Sequence, residues 1–277
     1  MRSETEGRMA AEEFRHKNHL GTQPLGDLVS LIEQSTSIDV AIVEADVDEH
    51  GLSMRDPIRS AVFIAVAQTT RPMRQRSTLA HELAHVIFRD WAVVNAPVPT
   101  DRTLEERRAD AFARHLLIPI EGLKEVLGVT AAVDLAVLSS VVQRFLVSPA
   151  IAAIALNEAG YIDAETKTMW LTNVQTPTLA SRYGWSDQYR TLQSDSQMPR
   201  APQRLVARAI NGYLQNVVSA QTLGTLHGRD AASVEADLKQ AGLVPAVLEA
   251  PWAKAADLPV VELDLSELDD DAVSDSD

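Results

Sequence analysis

The sequence predicts an α+β fold, a small mixed sheet packed on helices, one of which carries an HExxH motif, followed by appended all-helical segments. Three observations carry this expectation. Short apolar runs between residues 39 and 67 alternate or run unbroken as strands do, with turn residues between them. From Met73 onward apolar residues recur at three- and four-residue spacing instead. The composition is that of a folded chain, with 277 residues, 45% hydrophobic and 23% charged, enough to bury a core and to form about two domains.

Each element follows from local pattern. Leu25, Leu28, Val29, Leu31 and Ile32 form one apolar stripe, so a helix is expected to end near Ser35. Asp39 to Val47 alternates through Val40, Ile42, Val43 and Val47. Gly51 to Met54 leads through Asp56-Pro57 to the apolar run Ala61 to Ala67, which completes three expected strands. Arg71-Pro72 breaks the last strand, and Met73 to Arg89 places Leu79, Leu83, Val86 and Ile87 on one helical face. A Pro-containing loop, 95–101, precedes a second helix from Leu104 to Leu117, which Pro119 ends. Residues 121–158 read as helical, with Ser148 as N-cap and Pro149 at the first helical position. Residues 172–202 are rich in Ser, Thr, Gln and Pro with weak periodicity, as in a linker. Three short helices follow, 205–215, 220–226 and 231–240, the last stopped by Gly242.

Charge and composition exclude several functions. Twenty-five Lys and Arg against 39 Asp and Glu give a net charge of −14, which repels phosphate backbones and argues against direct nucleic-acid binding. Glu262 to Asp277 contains no Lys or Arg and is expected to be disordered. The chain has no cysteine, which removes disulfides, thiolate metal sites and thiol nucleophiles, so any metal must use His, Asp or Glu. The polar start and the lack of any 18-residue apolar run predict a cytoplasmic protein that does not enter a membrane.

The chemistry is concentrated in two helices. His81-Glu82-Leu83-Ala84-His85 sets two imidazoles one turn apart on the same helical face, where they can grip one ion. With seven His and eighteen Glu in the chain, chance gives roughly 0.01 such matches. Catalytic zinc needs three protein ligands and an open position. Glu82, between the histidines, suits a general base and acid that takes a proton from water and returns it to the leaving amine. Glu106 and Asp110, four residues apart on the second helix, offer the third ligand and a partner for the free ring N–H of a ligating histidine. Glu105 competes for the ligand role, but its five-residue separation from Asp110 turns it elsewhere.

The segment from Arg74 to His85, RQRSTLAHELAH, and the later Glu106-x-x-Ala109-Asp110-x-Phe112-Ala113-x-x-Leu116-Leu117-x-Pro119 resemble the ImmA/IrrE metallo-endopeptidases, compact gluzincin-type proteases. Ser77 stands where that family usually has Phe, and Ala84 where it has Gly; neither change removes a ligand. The resemblance implies a zincin-like fold and peptide cleavage with one zinc ion held by His81, His85 and Glu106, and with Glu82 as base. It also implies an extended substrate paired to an edge strand, for which Ala61 to Ala67 lies in the right order. The oxyanion-stabilising group stays open among Arg74, Arg76 and His115. The partner class implied is a protein substrate, a transcriptional repressor of phages or mobile elements. A non-catalytic or weakly catalytic metal-containing protein that holds a transcription factor or toxin is the alternative.

These readings divide the chain into a polar N-terminal extension (1–24), a zincin-like metallopeptidase core (25–120), a helical extension resembling a helix-turn-helix (121–171), a linker (172–202), a small C-terminal helical unit (203–243) and an acidic tail (244–277). The would-be recognition helix, Pro149 to Glu158, has no Lys or Arg and is expected to pack in the core rather than on DNA. His16, His19, His50 and His227 read as surface or structural residues, and Trp170, Trp185 and Trp252 as packing anchors.

Overall fold

The computed structural model describes residues 2–45, 51–58, 61–91, 103–128 and 133–247. The expected loop 95–101, His50, Trp252 and nearly all of the acidic tail lie outside them. The architecture is the α+β arrangement expected: a three-stranded mixed sheet packed on helices, with further helices after it. Strands β1 (Asp39–Val43), β2 (Gly51–Arg55) and β3 (Val62–Ala67) lie in the order β1-β3-β2. β1 runs parallel to β3, with Val40 opposite Ile64, whereas β2 runs antiparallel to it, with Ser53 opposite Ile64.

The two-residue alternation of the strands decides which face is covered. Val40, Ile42, Ile64 and Val66 are buried on one face, against α2 (Leu28–Thr36) and α3 (Pro72–Phe88). Asp27 caps α2 by accepting from the Ser30 N–H, and Pro72 opens α3 where its missing N–H costs no hydrogen bond. α4 (Leu104–Leu117) crosses α3; Thr103 Oγ1 accepts from the Glu106 N–H at 3.2 Å, which starts the helix and sets Glu106 in its first turn.

The structure differs from the sequence reading at both ends of this core. Residues 2–17 form a helix, α1, laid along α4. Its buried residues are Gly7, Ala11, Phe14 and Arg15, of which only Phe14 is large and apolar, so the stripe is nearly silent in hydropathy. A Cβ on Gly7 would lie 2.5 Å from Arg108 O and 2.7 Å from Ala111 Cβ, so only glycine allows this approach. Arg15 fastens the end of α1 by donating to Leu116 O at 2.6 and 2.8 Å and to Gly21 O at 2.7 Å.

Residues 172–202, expected as a linker, instead contain the end of α8 (Ala164–Asn173), then α9 (Thr176–Arg182) and α10 (Ser186–Ser196). Leu179, Ala180, Trp185 and Tyr189 bury these helices in the main core, and the Trp185 indole N–H donates to Ser139 Oγ at 2.9 Å. These few anchors hold a polar segment that periodicity alone does not reveal. After α10, Arg200 pairs with Ile42 through two backbone hydrogen bonds of 2.9 and 3.0 Å, which covers the outer edge of β1.

α5 (Ile120–Leu127), α6 (Leu135–Phe145) and α7 (Pro149–Glu158) follow α4. Ala152, Ala153, Ala155 and Leu156 of α7 are buried, so its apolar face packs inward as its composition requires. No single described helix is long and apolar enough to cross a membrane. α6 and α7 together reach that length and apolarity but are bent by 108° to one another. α11 (Gln203–Leu214), α12 (Ala220–His227) and α13 (Ala231–Gln240) form a separate small core around Tyr213, Leu223, Val234 and Leu238.

Candidate metal centre

The i, i+4 spacing on α3 stacks His81 over His85, with ring centroids 4.8 Å apart. Their Nε2 atoms are 3.1 Å apart, and the Glu106 carboxylate closes the triangle: Oε2 lies 3.1 Å from His81 Nε2 and Oε1 lies 3.4 Å from His85 Nε2. Glu105 is exposed, outside this group. The structure therefore brings together His81, His85 and Glu106.

Asp110, one turn beyond Glu106, places Oδ1 3.0 Å from His81 Nδ1. A carboxylate only accepts, so Nδ1 carries the proton and the Nε2 lone pair of neutral His81 faces His85 and Glu106. Burial favours the neutral ring, but the hydrogen bond and charge of Asp110, with the charges of Glu106 and Glu82, win and raise the His81 pKa.

Glu82 lies one residue further along α3 and is buried, its side chain turned toward β2. Burial raises its carboxyl pKa, against the opposing charges of His85 and His81 and a hydrogen bond from Ser53. The approach of β2 depends on Gly51, where a Cβ would lie 2.6 Å from Thr78 Cγ2 and 3.1 Å from Glu82 Cγ.

Residues that motif reading missed also enter the site. Arg89 takes the left-handed conformation at φ 60°, which ends α3 and turns Asp90 back so that its N–H donates to His85 O at 2.9 Å. Asp90 Oδ2 stands 3.6 Å from His85 Nδ1, a buried ring nitrogen without a hydrogen-bond partner among the described residues. Arg108 grips both Asp90 oxygens at 2.9 and 3.0 Å and stacks over Phe88 with its guanidinium carbon 4.0 Å from the ring centroid. No sequence spacing signals Asp90, because a left-handed non-glycine residue makes the turn. Gly51 and Ser53 were read only as strand residues.

Two other expectations change. β3 is the central strand, so residues 61–67 offer no free edge; β2 is the sheet edge beside Glu82. Of the oxyanion candidates, Arg76 donates to Leu25 O, Gly26 O and Leu146 O, which ties loops together. His115 bonds with Glu4, away from Glu106 and Asp110.

The residues present fit a zinc-sized cation. A tetrahedral ion about 2.0–2.1 Å from N and O donors holds them roughly 3.3 Å apart. The three separations here, 3.1, 3.1 and 3.4 Å, match that value, and no proton is needed between the two Nε2 atoms if a cation sits among them. The small mixed sheet, the HExxH helix and the carboxylate-bearing second helix define a domain of metallopeptidase type. Residues 36–157, from the end of α2 through α7, match the peptidase family model described as the IrrE N-terminal-like domain. No curated protein matches the chain in sequence.

Proposed function

We propose that the protein is a zinc-dependent endopeptidase. His81, His85 and Glu106 hold the ion, Asp110 orients His81, and Glu82 is the general base and acid. The observation that carries this reading is the convergence of three donor atoms beside a buried glutamate whose pKa is raised. When bound, zinc supplies Lewis acidity that acidifies a water and polarises the scissile carbonyl.

The chain's own groups do the rest. The β2 edge binds an extended peptide through backbone hydrogen bonds, aligned by the antiparallel ladder that continues from β3. Glu82 takes a proton from the attacking water and passes it to the leaving amine. Its burial brings its proton affinity nearer to neutral pH, where such transfers are efficient. Ser53 of β2 opposes the upward push of burial on the Glu82 carboxyl.

The substrate class we infer is a regulatory protein, a transcriptional repressor of a phage or mobile element, and this rests on the family resemblance. The test compares wild type with Glu82→Gln at equal zinc content on candidate repressors. Cleavage by wild type, reduced at least 100-fold in the variant, is expected from the usual size of general acid–base catalysis. Equal behaviour of the two proteins refutes the catalytic reading.

A further inference from the structure

α4 carries a second convergence, directed away from Glu106 and Asp110. His115 is 95% buried, and its Nε2 lies 2.9 Å from Glu4 Oε1 on α1 and 3.8 Å from Glu158 Oε2 at the end of α7. One donor atom from each of the three residues falls within 4.8 Å of the other two. A tetrahedral zinc-like ion sets its N and O donors roughly 3.3 Å apart, which the two measured separations bracket.

The surroundings favour a cation. Arg114 bonds to Glu4 Oε1 and, at 3.1 Å, to Glu158 Oε1, which holds both carboxylates in place and leaves Glu158 Oε2 toward the imidazole. Glu4 and Glu158 thus set two carboxylates beside the buried His115 ring, so that oxygen and imidazole donors from three elements face one point. The cluster also borders an open cavity of about 920 Å³, lined further by Arg8, His16 and Thr22, through which an ion and its remaining water ligands can enter. One imidazole and two carboxylates suit zinc or another first-row divalent ion.

We propose that Glu4, His115 and Glu158 form a second divalent-cation site, separate from His81, His85 and Glu106, that staples α1 to α4 and α7. The ion spans three elements distant in sequence, so it stabilises the seat of the N-terminal helix rather than acting on substrate. This site stands or falls independently of the peptidase reading.

The experiment titrates metal-free full-length protein with Zn²⁺ alone at pH 7.5, and reads stoichiometry by calorimetry and by metal analysis after gel filtration. Wild type is expected to bind two equivalents, His115→Asn one, Glu106→Gln one and the double variant none. Loss of the His115 site should also lower the zinc-induced rise in melting temperature in the Glu106→Gln background. Glu158→Gln, at a solvent-facing helix end, weakens the same equivalent at least tenfold and serves should His115→Asn fail to fold by circular dichroism. A wild type that binds one equivalent, or a second equivalent that survives in the folded His115 or Glu158 variant, overturns the proposal. Two equivalents retained in Glu106→Gln would instead undo the assignment of the first site.

Discussion

Replacing Asp110 by Asn tests the organisation of the metal centre without touching a proposed ligand. The 3.0 Å bond from His81 Nδ1 to Asp110 Oδ1 fixes the tautomer and strengthens Nε2 as a donor. Loss of such a partner typically weakens metal affinity by about 10- to 100-fold, or roughly 1.4–2.7 kcal/mol. The pH dependence supplies a second reading. Asp110 helps raise the His81 pKa above its ordinary value of 6.5, so protons compete with metal to a higher pH in wild type than in the variant. The affinity deficit of Asp110→Asn should therefore be largest near pH 8 and shrink toward pH 6. In the metal-free protein the contact stabilises the fold fully below the ordinary histidine pKa and fades as pH rises through the raised value, so the variant's stability loss runs the opposite way. Competition with a fluorescent chelator at several pH values measures the first effect, and denaturant unfolding the second. A zinc affinity within twofold of wild type at pH 8, in a variant that folds normally, would refute the role given to Asp110.

Three further outcomes follow from measured contacts. Gly51→Ala forces a methyl group to 2.6 Å from Thr78 Cγ2 and against Glu82; about 1–3 kcal/mol of stability and at least tenfold of peptide turnover should be lost, and an unchanged turnover rate would remove Gly51 from the site. Gly7→Ala pushes α1 off the backbone of α4, whose Arg108 O lies 2.5 Å from the added carbon. Overpacking of about 1–3 kcal/mol outweighs the roughly 1 kcal/mol gained in helix propensity, so the melting temperature should fall; a rise would contradict the close approach. Asp27 resists burial's upward push through bonds from Ser30 and an ion pair with Arg200, which together lower its pKa. Its contribution is present above the ordinary carboxylate pKa of 3.8 and is lost as pH falls through the lower folded value. Asp27→Asn should thus cost stability at pH 6 and converge with wild type in strong acid; curves that stay parallel throughout would exclude it.

Much of the sheet and of the two central helices was readable in the residues themselves. Alternation marked β1 and an apolar run marked β3 to within a few residues, because both strands have a covered face, and Pro72 and Pro119 marked helix limits by their backbone chemistry. The four-residue spacings of His81 with His85 and of Glu106 with Asp110 announced two side-chain pairs on two helical faces. Where signals were weak, the cause is physical: α1 packs through Gly7 and Ala11, whose burial leaves little trace in hydropathy, and α9 and α10 hang on a few large anchors within a polar stretch.

The sequence by itself determined the local periods, the helix stops and the set of donor types, since these depend on residues within one or two turns of each other. Only the tertiary structure decided that β2 rather than β3 is the edge beside Glu82, that Asp90 turns back toward His85, and that His115 meets Glu4 and Glu158 from two other helices. Strand order, a left-handed turn and contacts across about a hundred residues arise from how whole faces pack, and no short window of sequence contains that information.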